Sequence, residues 1–132
     1  MANADEGVAE VIELKDIDPT RPFLSQLEEV DSGPVTVINT FVYPEGAFEA
    51  VVEAWRKDSV VMMAAPGWVS SQLYHGLGSR VLTNVSGWES AANLKNAFRS
   101  KEFQDILPLY PDGTVCYPQL ERKIAVPGIC AA

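Results

Sequence analysis

Between Val35 and Tyr43 the chain is dense in β-branched and aromatic residues, and a β-strand is predicted there. Side chains two apart share a face, so Val35, Val37, Asn39, Phe41 and Tyr43 line one side and Ile38 and Val42 the other. Both sides are partly apolar, which predicts a strand covered on both faces. After the turn Pro44-Glu-Gly46 the period changes. Phe48, Val51, Val52, Trp55 and Met62 recur at helical spacing, while Glu49, Glu53, Arg56 and Lys57 fall mainly on the other face. Ala65-Pro-Gly67 ends that helix. A second strand is predicted from Trp68 to His75. The two glycines between Gly76 and Ser79 make a hairpin into a third, Arg80 to Trp88. There Leu82, Asn84, Ser86 and Trp88 share one side, and Val81, Thr83 and Val85 the other.

Glu89 to Phe98 reads as a second helix with Ser90 as its N-cap, extended or followed by a short helix over Ser100 to Leu107. Pro108 stops it, and Pro111-Asp-Gly113 is a turn. Thr114 to Val126 supplies the last strand, with Pro118 requiring an edge position or a bulge. The order is βαββαβ, the α+β ferredoxin-like pattern: an antiparallel sheet with two helices on one face. The other sheet face then lacks a cover, and a homodimer with its sheets packed together would provide one. Residues 1–34 are read as an N-terminal extension, 35–126 as the domain and 127–132 as a small tail. Within the extension Val8 to Leu14 can form a short strand, and the prolines at 19 and 22 enforce turn or extended chain.

A length of 132 residues allows a single modest core. A net charge of −8 excludes a phosphate-binding stripe, so neither nucleic acid nor an anionic membrane surface is expected as partner. The N-terminal residues carry neither a positive segment nor an apolar one of signal-peptide type, and no apolar run is long enough to span a bilayer, so a cytoplasmic location is expected. Cys116 and Cys130 are expected as free thiols. His75 has no neighbours at ligand spacing, so no metal site is expected.

Two amides interrupt this pattern. Asn39 sits in an apolar row, and Asn84 shares a strand face with Trp88. A buried amide costs a few kcal/mol unless it finds partners, so Asn39 is either a satisfied structural residue or part of a site that binds something polar. The strand from Arg80 to Trp88 is the candidate for one half of that site, and Asn39 for the other.

The run Val35 to Gly46, Ala65-Pro-Gly-Trp-Val69, Asn84-x-x-x-Trp88-Glu-Ser90 and Ser100-x-Glu-Phe103 resembles the antibiotic biosynthesis monooxygenase family over about residues 35–125. The family implies a dimeric α+β barrel with a pocket between sheet and helices. The sharper likeness is to the anthrone monooxygenases of aromatic polyketide pathways, which oxidise an anthrone to a quinone with O2 and no cofactor. That resemblance implies Asn39, Asn84 and Trp88 as catalytic residues. It implies a substrate pocket of Phe41, Leu82, Ser86, Trp55, Leu94 and Phe98, and makes Arg99 a positional candidate for a basic residue. Haem-degrading members need a Trp and a His where this chain has Ala97 and Leu107, so haem cleavage is not expected.

The expected chemistry is deprotonation of a small aromatic substrate, electron transfer to O2 and loss of water. Amide N–H groups, joined by the indole N–H of Trp88, would stabilise the substrate oxyanion. No residue presents itself as general base. The competing readings are a polyketide cyclase or other non-oxidative enzyme on the same fold, and a non-catalytic dimer that binds an aromatic metabolite.

Overall fold

The β-branched runs pair as their alternation requires. A computed structural model describes residues 12–30 and 33–132, and its five strands form one sheet in the order β1-β5-β2-β4-β3. They are β1 (Ile12–Leu14), β2 (Val35–Val42), β3 (Trp68–His75), β4 (Val81–Trp88) and β5 (Thr114–Glu121). β1 runs parallel to β5, and the other pairs are antiparallel. Between them lie α1 (Phe23–Gln26), α2 (Phe48–Met63), α3 (Ala91–Phe98) and α4 (Lys101–Gln104), with a 3-10 turn at Leu107–Leu109. The helices pack on one face of the sheet. This is the ferredoxin-like α+β fold, with a fifth strand added at one edge.

The caps follow the sequence. Ser90 Oγ accepts from the Asn93 amide at 3.1 Å and starts α3, and Ser100 Oγ accepts from the Phe103 amide at 3.2 Å and starts α4. The break between them, at Arg99 and Ser100, makes the second helical stretch two helices. Pro118 lies beyond the last residue that β1 pairs with, on the side where Leu120 turns its N–H to Gln26 Oε1 rather than to a strand. Its missing N–H therefore costs no ladder bond.

Two expectations need correcting. β5 stops at Glu121 and not at Val126, because its partner runs out: Thr36, the second residue of β2, already faces Glu121. Val126 instead bridges to Cys130 in a small exposed turn. The stretch after Pro22, read only as part of an N-terminal extension, contains the single helical turn α1. Its Phe23 and the following Leu27 are buried with Val35, Val37, Trp88, Ala91, Leu94 and Ala97 in one of two core clusters. Of the strand expected from Val8, residues Ile12 to Leu14 form β1, and the rest lies outside the described residues. The second cluster joins Ile12, Phe41, Tyr43, Val51, Leu82 and Tyr110.

Among the described residues no helix is long and apolar enough to cross a membrane. His75 is exposed, and its Nε2 lies 2.8 Å from the Tyr43 hydroxyl.

Candidate active site

The register of β2 and β4 brings the two amides together. Asn39 lies directly opposite Asn84, with Val37 opposite Ser86 and Val35 opposite Trp88. Directly opposed side chains have Cβ atoms about 5 Å apart. On its other side Asn39 faces Pro118 of β5, and Phe41 faces Cys116. The helix-facing side of the sheet thus forms a floor in which two amides and a hydroxyl interrupt apolar surface.

Above that floor is a cavity of about 90 Å³, several times what a single water needs. Asn39, Asn84, Ser86 and Trp88 line it from the sheet, Trp55, Asp58, Ser59 and Met62 from α2, and Leu94 and Phe98 from α3. Ile12, Leu14 and Phe23 close it from the N-terminal side. Of the pocket expected from the sequence, Phe41, Ser86, Trp55, Leu94 and Phe98 are lining residues. Leu82 is buried instead in the core cluster with Tyr43 and Val51. Arg99 points away: it is exposed and pairs with Glu28 at 2.7 Å.

Trp88 is only 2% exposed, and its Nε1–H donates to Ser86 Oγ at 3.3 Å. The indole therefore walls the cavity with its N–H already engaged. Ser86, two residues back on the same face, is the group it orients. Asn39 Oδ1 is buried without a hydrogen-bond partner, the one such side-chain atom among the described residues. The amide adjoins the Cys116 thiol, whose pKa is pushed up to about 12 by burial, against a lowering effect of the Asn39 hydrogen bond. Cys116 is thus a neutral S–H at physiological pH.

A third polar feature was not expected. Asp58 projects from α2 into the cavity, and its carboxylate accepts a hydrogen bond from the Tyr110 hydroxyl. Burial pushes the Asp58 carboxyl up to about 7, although the Tyr110 hydrogen bond works the other way. Tyr110 is held well above its ordinary value, first by burial and then by the Asp58 charge. Its ring stacks on Phe41 at 5.7 Å, which fixes the hydroxyl. The signal for Asp58 was in the chain: three residues after Trp55 and four before Met62, it falls on the apolar stripe of α2.

No group of three or more His, Cys, Asp or Glu among the described residues could hold a metal ion. The site is an apolar cavity between sheet and helices, with paired amides on one wall and a half-buried carboxyl on another.

Known proteins share this α+β fold. The model of the antibiotic biosynthesis monooxygenase family matches residues 34–108, and the chain belongs to that family. A candidate monooxygenase from Shewanella loihica is 32% identical, over 73% of this chain and 99% of its own, with a TM-score of 0.63. SnoaB, a cofactor-independent oxygenase from Streptomyces nogalater, shares the fold at 15% identity, over 74% of this chain and 99% of its own, with a TM-score of 0.64. A candidate antibiotic biosynthesis monooxygenase from Bordetella bronchiseptica does so at 18%, over 70% and 99%, with a TM-score of 0.63. No functionally curated protein matches the chain.

Proposed function

We propose that this protein is a cofactor-independent monooxygenase that oxidises an anthrone- or quinol-type aromatic substrate to a quinone with O2. The observation that carries the reading is the unpartnered Asn39 amide oxygen, buried in an apolar cavity opposite Asn84. A buried acceptor without a partner is destabilising, and a ligand oxygen satisfies that end of the amide only once it carries the N–H groups. The amide can turn about its own axis. With Oδ1 turned to accept the Cys116 S–H, the Asn39 NH2 takes the unpartnered position instead. Asn39 and Asn84 then donate to the substrate oxygen, and the Ser86 hydroxyl, held by Trp88, adds a third donor.

The oxidation itself starts from a stabilised substrate anion. Triplet O2 reacts slowly with closed-shell molecules, but an anthrolate is electron-rich enough to give it one electron. The substrate radical and superoxide combine to a peroxide at the former methylene carbon. Loss of water from that peroxide gives the quinone. Family membership and the fold shared with SnoaB support the oxygenase class.

The working unit is read as a homodimer joined through the outer sheet face. That face carries Ile38 between Val85 and Gln119, Thr40 between Thr83 and Tyr117, and Val42 between Val81 and Val115. It has no charge in this central belt, which suits burial against a second copy.

Oxygen uptake with dithranol tests the reading. Metal-stripped protein is expected to consume O2 and form the quinone above the spontaneous rate. Asn39→Ala or Asn84→Ala each lowers kcat/KM about 10²-fold, the usual cost of one oxyanion donor. Uptake no faster than the blank, with dithranol bound, rejects the oxygenase in favour of a cyclase or a binding protein.

A further inference from the structure

The reaction proposed above removes a proton from carbon, and an amide cannot accept it. We propose that Asp58 is the proton acceptor of this site, positioned by Tyr110 on the wall opposite the Asn39–Asn84 pair; the inference rests on the anthrone reading. In an anthrone the carbonyl and the acidic methylene lie at opposite ends of the central ring. A substrate whose oxygen is held by amides on the sheet turns its methylene away from the sheet. Asp58 reaches into the cavity from α2, the helix packed over that sheet.

A structural carboxylate at such a depth would be matched by a cation, and among the described residues none is paired with this one. The titratable groups among the described lining residues are Asp58, Tyr110 and Cys116. On α2 itself Arg56 is held by Glu53 and Lys57 is exposed to solvent, on α4 Lys101 is held by Asp105, and on α3 Lys95 by Glu28. On β3 His75 is taken up by Tyr43. Among the described residues, the hydrogen-bond partner of Asp58 is the Tyr110 hydroxyl. Burial without a cation tunes a carboxyl to the range in which a base works near neutrality. Raised to about 7, the carboxyl has both its acid and its carboxylate form accessible near neutrality.

The steps balance. The carboxylate takes a methylene proton, and the C–H electron pair delocalises onto the oxygen held by the amides. After one-electron transfer to O2 and radical recombination, the Asp58 carboxylic acid returns its proton to the peroxide anion. The carboxylate then takes the second proton from the same carbon. The C=O bond forms, the O–O bond breaks, and the departing hydroxide leaves as water with the proton from Asp58. One CH2 and one O2 give one C=O and one water.

The deciding experiment separates the proton step from the oxidation. Anthrone is incubated without oxygen in D2O, and deuterium entry at its methylene is followed by NMR. O2 uptake is measured in parallel. The intact protein is expected to accelerate exchange, and Asp58→Asn to lower both exchange and uptake by about 10²- to 10⁴-fold. The log kcat/KM of the intact protein rises with pH up to about 7 and then levels, and that limb is absent in Asp58→Asn. Tyr110→Phe removes the bond that holds the carboxyl down and moves the limb to higher pH, a change that a purely structural tyrosine would not produce. Exchange without O2 uptake in the intact protein supports Asp58 as base and sinks the oxygenase. Uptake and exchange that survive in a folded Asp58→Asn overturn Asp58 and leave the oxygenase standing. No exchange by the intact protein overturns Asp58 as well.

Discussion

Asp58 and Asn39 are the same kind of anomaly on two different elements: a polar side chain in a row that should be apolar. For Asp58 the consequence extends to stability. Its carboxyl titrates at about 7 in the fold and about 4 in an unfolded chain, so between these values the folded state holds the extra proton. The raised value therefore favours folding below pH 4, and this contribution is lost as pH rises through 7. Thermal melts of the protein and Asp58→Asn are expected to converge at pH 4. At pH 8 the variant is expected to be the more stable, because it buries no charge; an equal separation at both values would contradict a raised carboxyl. Asn39 was legible from period-two alternation alone, since the strand has no other amide. Asp58 was hidden by its charge. An acidic residue on a helix with Glu49, Glu53, Arg56 and Lys57 nearby reads as part of the solvated face, and only its angular position places it with Trp55 and Met62. That the Trp88 N–H was already taken required the distance to Ser86.

At the scale of elements, the strands and the two long helices were legible because each shows several turns of its period. α1 was not, because four residues carry no period and Pro22 argues for extended chain. Tertiary contacts hold it instead. Gln26, 6% exposed, accepts the Leu120 N–H at 2.8 Å and donates to the Arg21 carbonyl at 3.3 Å, which ties the turn to the end of β5. Gln26→Ala leaves the Leu120 N–H unpaired, and chemical denaturation is expected to show a loss of about 1–3 kcal/mol. Glu28, whose pKa is lowered chiefly by its hydrogen bond to Lys95, ties the same segment to α3 from the surface. Glu28→Gln should cost less, and the difference should shrink in high salt. The Pro-Gly motif has a spatial reason as well as a local one. Gly67 has φ +92°, and a Cβ there would stand 2.3 Å from Asn93 Cγ at the start of α3. Gly67→Ala is expected to lower stability by about 1–3 kcal/mol or more, read as a fall in melting temperature.

For the molecule as a whole, the βαββαβ order could be read in advance because its turn signals fall at Pro and Gly between clear periods. Where the cavity closes could not, since its walls come from segments far apart in sequence. The uncharged belt on the outer sheet face leads to a prediction at this scale. Ile38→Lys places a charge at the centre of that belt, facing Val85 and Gln119 and away from the cavity. Light scattering is expected to report a dimer for the intact protein and a monomer for the variant. A monomer in both cases would remove the case for this interface.

One feature of the cavity bears on how such proteins diverge. The family match ends at residue 108 and begins at 34, yet Ile12, Leu14 and Phe23 before it, and Tyr110, Cys116 and Pro118 after it, all line the cavity. The paired amides and Asp58 lie inside the match, while Tyr110, which positions Asp58, lies outside. Segments on both sides of the matched stretch therefore help to shape the cavity, so substitutions there would alter what the proposed site admits without touching the paired amides.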